Sequence, residues 1–141
     1  MRVLIAEDDP DDRNFISFAF QENKLDDGFH FVFDGEDAID YMMSLENSEK
    51  PCPNLIILDL NMPKKNGKDV LKWLKAHTTY CRIPVVILTT PSNEEEVNLL
   101  YSMGAAAYFI KPFSVPELSE IIKKLYLLWL DGTAVLPTFR Q

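Results

Sequence analysis

The sequence predicts an α/β protein built on a five-stranded parallel sheet with helices on both faces. Short, nearly all-apolar runs recur along the chain, as strands covered on both faces require. Longer stretches with apolar residues at helical spacing lie between them, and several open on residues that start helices.

The strands are read at Val3 to Ala6, Phe29 to Phe33, Leu55 to Leu58, Val85 to Leu88 and Ala107 to Ile110. The second carries polar His30 among its apolar residues, which suits a place nearer an edge. Ahead of the first helix Asp9 caps, Pro10 takes the first helical position, and Asp11 and Asp12 favour the positive end of the dipole. Phe15, Ile16, Ala19 and Phe20 form its buried stripe. Asp34 caps a second helix carrying Ala38, Ile39, Met42 and Leu45, and a third holds Val70, Leu71 and Leu74. Ser92-Asn93-Glu94-Glu95 and Ser114-Val115-Pro116-Glu117 have capping-box spacing and start the fourth and fifth helices. Residues 46–54 are a polar loop broken by Pro51 and Pro53. One domain is therefore expected over residues 1–129, followed by a tail, 130–141, in which Gly132 and Pro137 discourage another helix; no output domain is expected.

A chain of 141 residues can bury a core without disulfides or a structural metal. Its 47% hydrophobic and 26% charged residues are ordinary globular usage, which excludes wholesale disorder. The net charge of -8 argues against nucleic acid or an anionic membrane as a partner held by the overall field. Cys52 and Cys81 have no paired Cys or His spacing around them and read as free thiols in a reducing compartment. No apolar run approaches the roughly 20 residues of a membrane span. The start turns acidic at Glu7 before a signal peptide's apolar segment can form, so the cytoplasm is the expected location.

In open parallel sheets, sites form beyond the carboxyl ends of the strands, where loops and helix starts converge. Glu7 and Asp8 follow the first strand, Asp59 the third, Thr89 the fourth and Lys111 the fifth. In a flavodoxin-like doubly wound sheet of order 2-1-3-4-5, these five side chains share one shallow cleft. Three carboxylates gathered there repel one another unless a cation neutralises them or one stays protonated. Hard oxygen donors without His or Cys select Mg²⁺, Mn²⁺ or Ca²⁺, and an ion that keeps several waters beside one or two carboxylates is typical of Mg²⁺. Such a site suits phosphoryl transfer onto a carboxylate, for which Asp59 is the best nucleophile. The turn after it, Leu60-Asn61-Met62-Pro63 to Gly67, can aim the Asn61 carbonyl at the metal.

Leu4-Ile5-Ala6-Glu7-Asp8-Asp9, Leu58-Asp59-Leu60-Asn61-Met62-Pro63 through Gly67, Val86-Ile87-Leu88-Thr89-Thr90 and Tyr108-Phe109-Ile110-Lys111-Pro112-Phe113 resemble the four signature segments of two-component receiver domains, in order and at the right spacing over residues 2–129. The resemblance implies that Asp59 accepts phosphate from a histidine kinase or phosphotransfer protein. It also implies that Asp8 and Asp59 ligate Mg²⁺ directly, Glu7 through water and Asn61 by its backbone carbonyl, while Thr89 and Lys111 bind the phosphoryl oxygens. Thr89 and Tyr108 match the family's switch pair, in which the hydroxyl moves toward the phosphate as the ring turns inward. Lys111-Pro112 matches a bond that is usually cis in receivers, where proline lowers the cis penalty. The segment Leu128-Trp129-Leu130-Asp131-Gly132-Thr133-Ala134-Val135-Leu136-Pro137, with Lys64-Lys65-Asn66-Gly67 and Ile83-Pro84-Val85-Val86, is similar to the single-domain regulators of phytochrome-like kinases. Those regulators often pair through the face of the fourth helix, fifth strand and fifth helix, or through the C-terminal segment.

Plainer readings stand beside these. Asp9, Asp11 and Asp12 are ordinary capping and dipole residues, and Lys64, Lys65, Lys68, Lys72 and Lys75 form a solvated face of the third helix. Trp129 with Leu125, Leu128 and Leu130 is partly core, and its remaining apolar surface invites a dimer. His30 and His77 stand apart from the cleft. A flavin carrier on this fold needs a phosphate loop after the first strand, but that loop here is acidic from Glu7 to Asp12. A haloacid-dehalogenase-type phosphatase needs a second Asp two residues after the nucleophile, where Asn61 stands and cannot shuttle a proton. A receiver that works without phosphorylation is disfavoured because no required residue is missing.

Overall fold

The computed structural model describes residues 2–25 and 27–130. Strands β1 (Val3–Ala6), β2 (Phe29–Val32), β3 (Leu55–Leu58), β4 (Val85–Thr89) and β5 (Ala107–Ile110) form one parallel sheet in the order β2-β1-β3-β4-β5. This is the flavodoxin-like arrangement read from the sequence. β1, β3 and β4 are buried along their whole length, and β2 is the half-exposed edge, with His30 outward against the ring of Tyr41.

The helices are α1 (Pro10–Glu22), α2 (Gly35–Ser44), α3 (Gly67–Ala76), α4 (Glu94–Ser102) and α5 (Val115–Leu125). Asp9, Asp34 and Ser114 cap as the sequence suggests, each side chain accepting a backbone N–H of the first turn. In α4 the cap is Asn93 rather than Ser92; Asn93 accepts from the Glu96 N–H at 2.8 Å. Both residue types cap well, so the last extended residue of the incoming loop decides between them. α3 opens on a reciprocal capping box between Asn66 and Asp69. α5 continues into a π-helical turn over Tyr126–Leu130, which seats Trp129 partly against the core. The tail reading beyond Leu130, and the C-terminal segment proposed for pairing, lie outside the described residues.

Alternate strand residues face opposite layers, so the sheet carries two cores. Leu4, Ile56, Leu58, Ile87 and Tyr108 pack with α2, α3 and α4, whereas Val3, Ile5, Ile57, Leu88 and Phe109 pack with α1 and α5. Each fully buried Leu or Ile stabilises the fold by about 1.5–3 kcal/mol. α1 and α5 are also tied by Asn23, whose amide donates to the Ser119 carbonyl and hydroxyl, both at 3.0 Å.

The lysines of α3 and its approach do not make one basic face. Lys64 pairs with Asp34 at 3.6 Å and Lys68 with Glu96 at 3.0 Å. Lys75 turns inward and donates to the carbonyls of Cys81 and Ile83 at 3.0 and 3.1 Å, and burial holds its pKa below the usual lysine value.

Gly67 joins the β3–α3 loop to the site. A methyl group there would stand 2.4 Å from the Asp59 carbonyl oxygen and 2.9 Å from Leu60 Cα, both backbone atoms that cannot swing aside. Gly67→Ala is therefore expected to cost about 1–3 kcal/mol by denaturant titration, the usual penalty of overpacking. A midpoint equal to wild type would show that the loop yields freely.

Candidate functional site

The sheet register lines up the site. Ala6 pairs with Leu58 and Leu58 with Ile87, so Glu7 and Asp59 leave adjacent strand ends, and the Asp59 N–H donates to the Ala6 carbonyl at 3.1 Å. β4 runs on to Thr89, which pairs with Ile110 of β5, and the Lys111 N–H then returns to the Thr89 carbonyl at 2.8 Å. Residues far apart in the chain thus reach one edge through strand length alone.

One carboxylate oxygen from each of Glu7, Asp8 and Asp59 lies within 4.8 Å of the other two. Glu7 and Asp59 are 1% and 5% exposed, and Asp8 is the most open of the three. The Thr89 hydroxyl, fully buried, donates to Asp59 Oδ1 at 2.7 Å. Lys111 Nζ reaches Glu7 Oε1 at 2.6 Å, Asp12 Oδ2 at 2.7 Å and Asp59 Oδ2 at 3.1 Å. Three carboxylates thus share one ammonium, with Asp8 beside them: fully ionised, Glu7, Asp8, Asp12 and Asp59 give minus four and Lys111 plus one, leaving minus three. All-oxygen donors around that excess fit a hard divalent cation.

Burial pushes the Glu7 carboxyl up from 4.5 to about 7, opposed by its bond to Lys111 and reinforced by the charge of Asp59. Burial alone would lower the Lys111 ammonium, but its bonds to Asp12 and Glu7 and the charges of Glu7 and Asp59 outweigh that and raise it. A carboxyl that holds its proton more tightly when folded favours folding below the unfolded value of 4.5 and loses that advantage as pH rises through about 7. Metal-free wild-type protein is therefore expected to lose thermal stability relative to Glu7→Gln across that window. A gap between the two midpoints that stays constant with pH would contradict the assignment.

The structure brings together Glu7, Asp8, Asp59, Thr89 and Lys111. Asn61 adjoins them: its backbone N–H donates to Asp59 Oδ1 at 3.3 Å and its side-chain amide to Thr90 Oγ1 at 3.1 Å. Asn61 and Asp8 line a cleft that Lys68 and Glu96 also line. Tyr108 is 3% exposed, with its hydroxyl 3.4 Å from the Thr90 carbonyl. Its ring therefore lies inward while Thr89 engages Asp59. The Lys111–Pro112 bond, expected cis, is trans, as is every peptide bond among the described residues. Trans is the intrinsic preference of X–Pro by about 0.5–1 kcal/mol. The bonds that fix Lys111 all precede the proline, and Phe113 beyond it is fully exposed.

Asp12, by sequence a dipole residue only, is a partner of Lys111. The signal was its spacing: Asp12, Ile16 and Ala19 form one inward stripe of α1, so a carboxylate there meets the strand ends. Arg13, unremarked in the sequence, donates through Nη1 to the Glu7 and Asp8 carbonyls at 3.0 and 2.9 Å.

The sequence model of the response regulator receiver domain matches residues 3–123. The chain belongs to this receiver family. Response regulator Rcp1 of Synechocystis sp. is 33% identical over 136 residues, which cover 96% of this receiver and 92% of Rcp1. Among solved structures, the phosphorylated cyanobacterial phytochrome response regulator RcpA aligns with a TM-score of 0.83 at 34% identity, covering 96% of this receiver and 97% of RcpA. The Mn²⁺-bound form of Rcp1 aligns at 0.80 with 32% identity, covering 97% and 99%. This receiver is thus close to phytochrome response regulators over nearly its full length, and it falls among two-component signalling domains rather than turnover enzymes. No helix among the described residues is long and apolar enough to cross a membrane.

Proposed function

We propose that this receiver takes a phosphoryl group onto Asp59 from a histidine kinase such as a phytochrome-like one, or from a phosphotransfer protein. The observation that carries the reading is the convergence on one carboxylate of a buried hydroxyl at 2.7 Å and an ammonium at 3.1 Å, beside two further carboxylates. An Asp59 oxygen attacks phosphorus as the bond to the donor's imidazole nitrogen breaks, and that nitrogen keeps the electron pair. Mg²⁺, held by Asp8, Asp59 and the Asn61 carbonyl with Glu7 acting through water, would offset charge on the transferring group. Thr89 and Lys111 already stand where they can pass from the carboxylate to the new phosphoryl oxygens. Thr89 and Tyr108 form the switch, coupling that transfer to the surface around β5.

The Mn²⁺-bound form of Rcp1 supports a divalent ion in such a site, and the donor set here favours Mg²⁺ among the hard cations. The Asn61 amide, committed to Thr90, cannot act as the acid-base group a phosphatase needs, which favours a lasting phosphoryl mark over turnover. Residues 1–129 act as the receiver, and its response is noncovalent, through a partner or a homodimer. Exposed Leu99, Ile110 and Phe113 support pairing through the face of α4, β5 and α5. The charge of -8 supports a protein with neither nucleic acid nor an anionic membrane as its partner, and the cytoplasm is the proposed location.

The test is to incubate the protein with acetyl phosphate and Mg²⁺, reduce the acyl phosphate with borohydride and map the modified peptide. Conversion at Asp59, lost with EDTA, is expected. No conversion, or conversion at another residue, would overturn the proposal.

A further inference from the structure

We propose that Arg13 is a positioning residue for the divalent ion, fixing the backbone of the two ligand residues at the end of β1. The inference rests on the metal reading above and adds to it the device that holds the ligands in place.

Arg13 stands where local physics disfavours it. It lies in the first turn of α1, at the positive end of the helix dipole, where a cation is unfavourable. A residue that breaks a local rule is held there by some other interaction. That interaction is on the opposite side of the loop: one guanidinium nitrogen donates to the carbonyls of both Glu7 and Asp8, at 3.0 and 2.9 Å. β1 pairs with its neighbours only as far as Ala6, so these two carbonyls lie beyond the ladder. Holding successive carbonyls from one nitrogen sets the two peptide planes from which the Glu7 and Asp8 side chains project.

The guanidinium is itself held from above. Its central carbon lies 4.3 Å from the ring centroid of Phe33, just past β2. Phe33 is 52% exposed, and the cation it covers gives that exposed ring a task. The end of β1, the first turn of α1 and the residue following β2 thus meet at one side chain.

Charge and geometry predict opposite signs here. A cation bonded to the Asp8 carbonyl repels a nearby divalent ion, so if Arg13 acted through charge its removal would tighten metal binding. As a positioning residue its removal weakens binding, by about 10–100-fold if it behaves like other groups that orient metal ligands. Lysine keeps the charge but offers a compact ammonium on a flexible stem instead of a planar fork. Arg13→Lys therefore falls between wild type and Arg13→Ala.

The experiment titrates Mn²⁺ into the 141-residue chain and follows the free ion by electron paramagnetic resonance, with metal-free thermal midpoints measured in parallel. Expected are weaker Mn²⁺ binding in Arg13→Ala, partial recovery in Arg13→Lys, and a smaller loss in Phe33→Ala, which removes the platform but not the donor. Should Arg13→Ala fail to fold, the Lys and Phe33 variants decide the question. Binding equal to or tighter than wild type in the variants overturns the role of Arg13 and leaves the metal reading standing. No uptake of Mn²⁺ by wild type overturns both.

Discussion

Asp59→Asn is expected to abolish phosphoryl uptake from acetyl phosphate while leaving the metal-free fold almost unchanged. The amide oxygen of asparagine can still accept the Thr89 hydroxyl, and Lys111 retains Glu7 and Asp12 at 2.6 and 2.7 Å. What disappears is the nucleophile, because an amide has no free carboxylate oxygen to esterify. One negative charge also leaves the metal cluster, so the rise in thermal midpoint on adding Mg²⁺ should shrink as well. Labelling at the wild-type level in the variant would place the acceptor elsewhere.

Lys111→Met should have the larger effect on stability. The ammonium is the shared partner of Glu7, Asp12 and Asp59, and the first and last of these are buried. Removing one member of a buried charge cluster costs roughly 3–5 kcal/mol because the remaining charges stay buried and uncompensated. With 17% of the lysine side chain open to solvent, the lower end of that range applies. The loss should be greatest at high pH and diminish as pH falls toward 7, because Glu7, freed of the Lys111 bond and charge that hold its pKa down, takes up its proton at higher pH than in wild type. Adding Mg²⁺ should recover part of it, since the ion supplies the missing positive charge. Phosphoryl uptake should fall too, although Asp59 is intact. Denaturant titrations with and without the ion test both claims, and equal losses in the two conditions would show that lysine and metal do not balance the same carboxylates.

The fold and most of the site were legible because this sheet writes them plainly. A strand covered on both faces must be almost wholly apolar, so Glu7, Asp59 and Lys111 stand out as the first polar residues after such runs. What the sequence leaves unmarked depends on contacts the chain does not encode locally. Asp12 sits among acids that cap a helix, and only its alignment with Ile16 and Ala19 separates it from them. Arg13 works through carbonyl groups, which every residue possesses and none advertises. Lys75 looks like a surface lysine until its stem curls back to the carbonyls ahead of β4. Ser92 and Asn93 are adjacent residues of equal capping ability, and the isomer at Pro112 is a matter of fractions of a kcal/mol.

The alternation of the strands gives the molecule a sidedness. Tyr108 belongs to the layer of α2, α3 and α4, and its backbone N–H donates to the Tyr101 hydroxyl of α4 at 3.0 Å. Its neighbour Phe109 belongs to the layer of α1 and α5. A covalent change at the strand tips that repacks Tyr108 is therefore felt on one side of the sheet, and a cargo fused to the opposite layer rides along as a passenger.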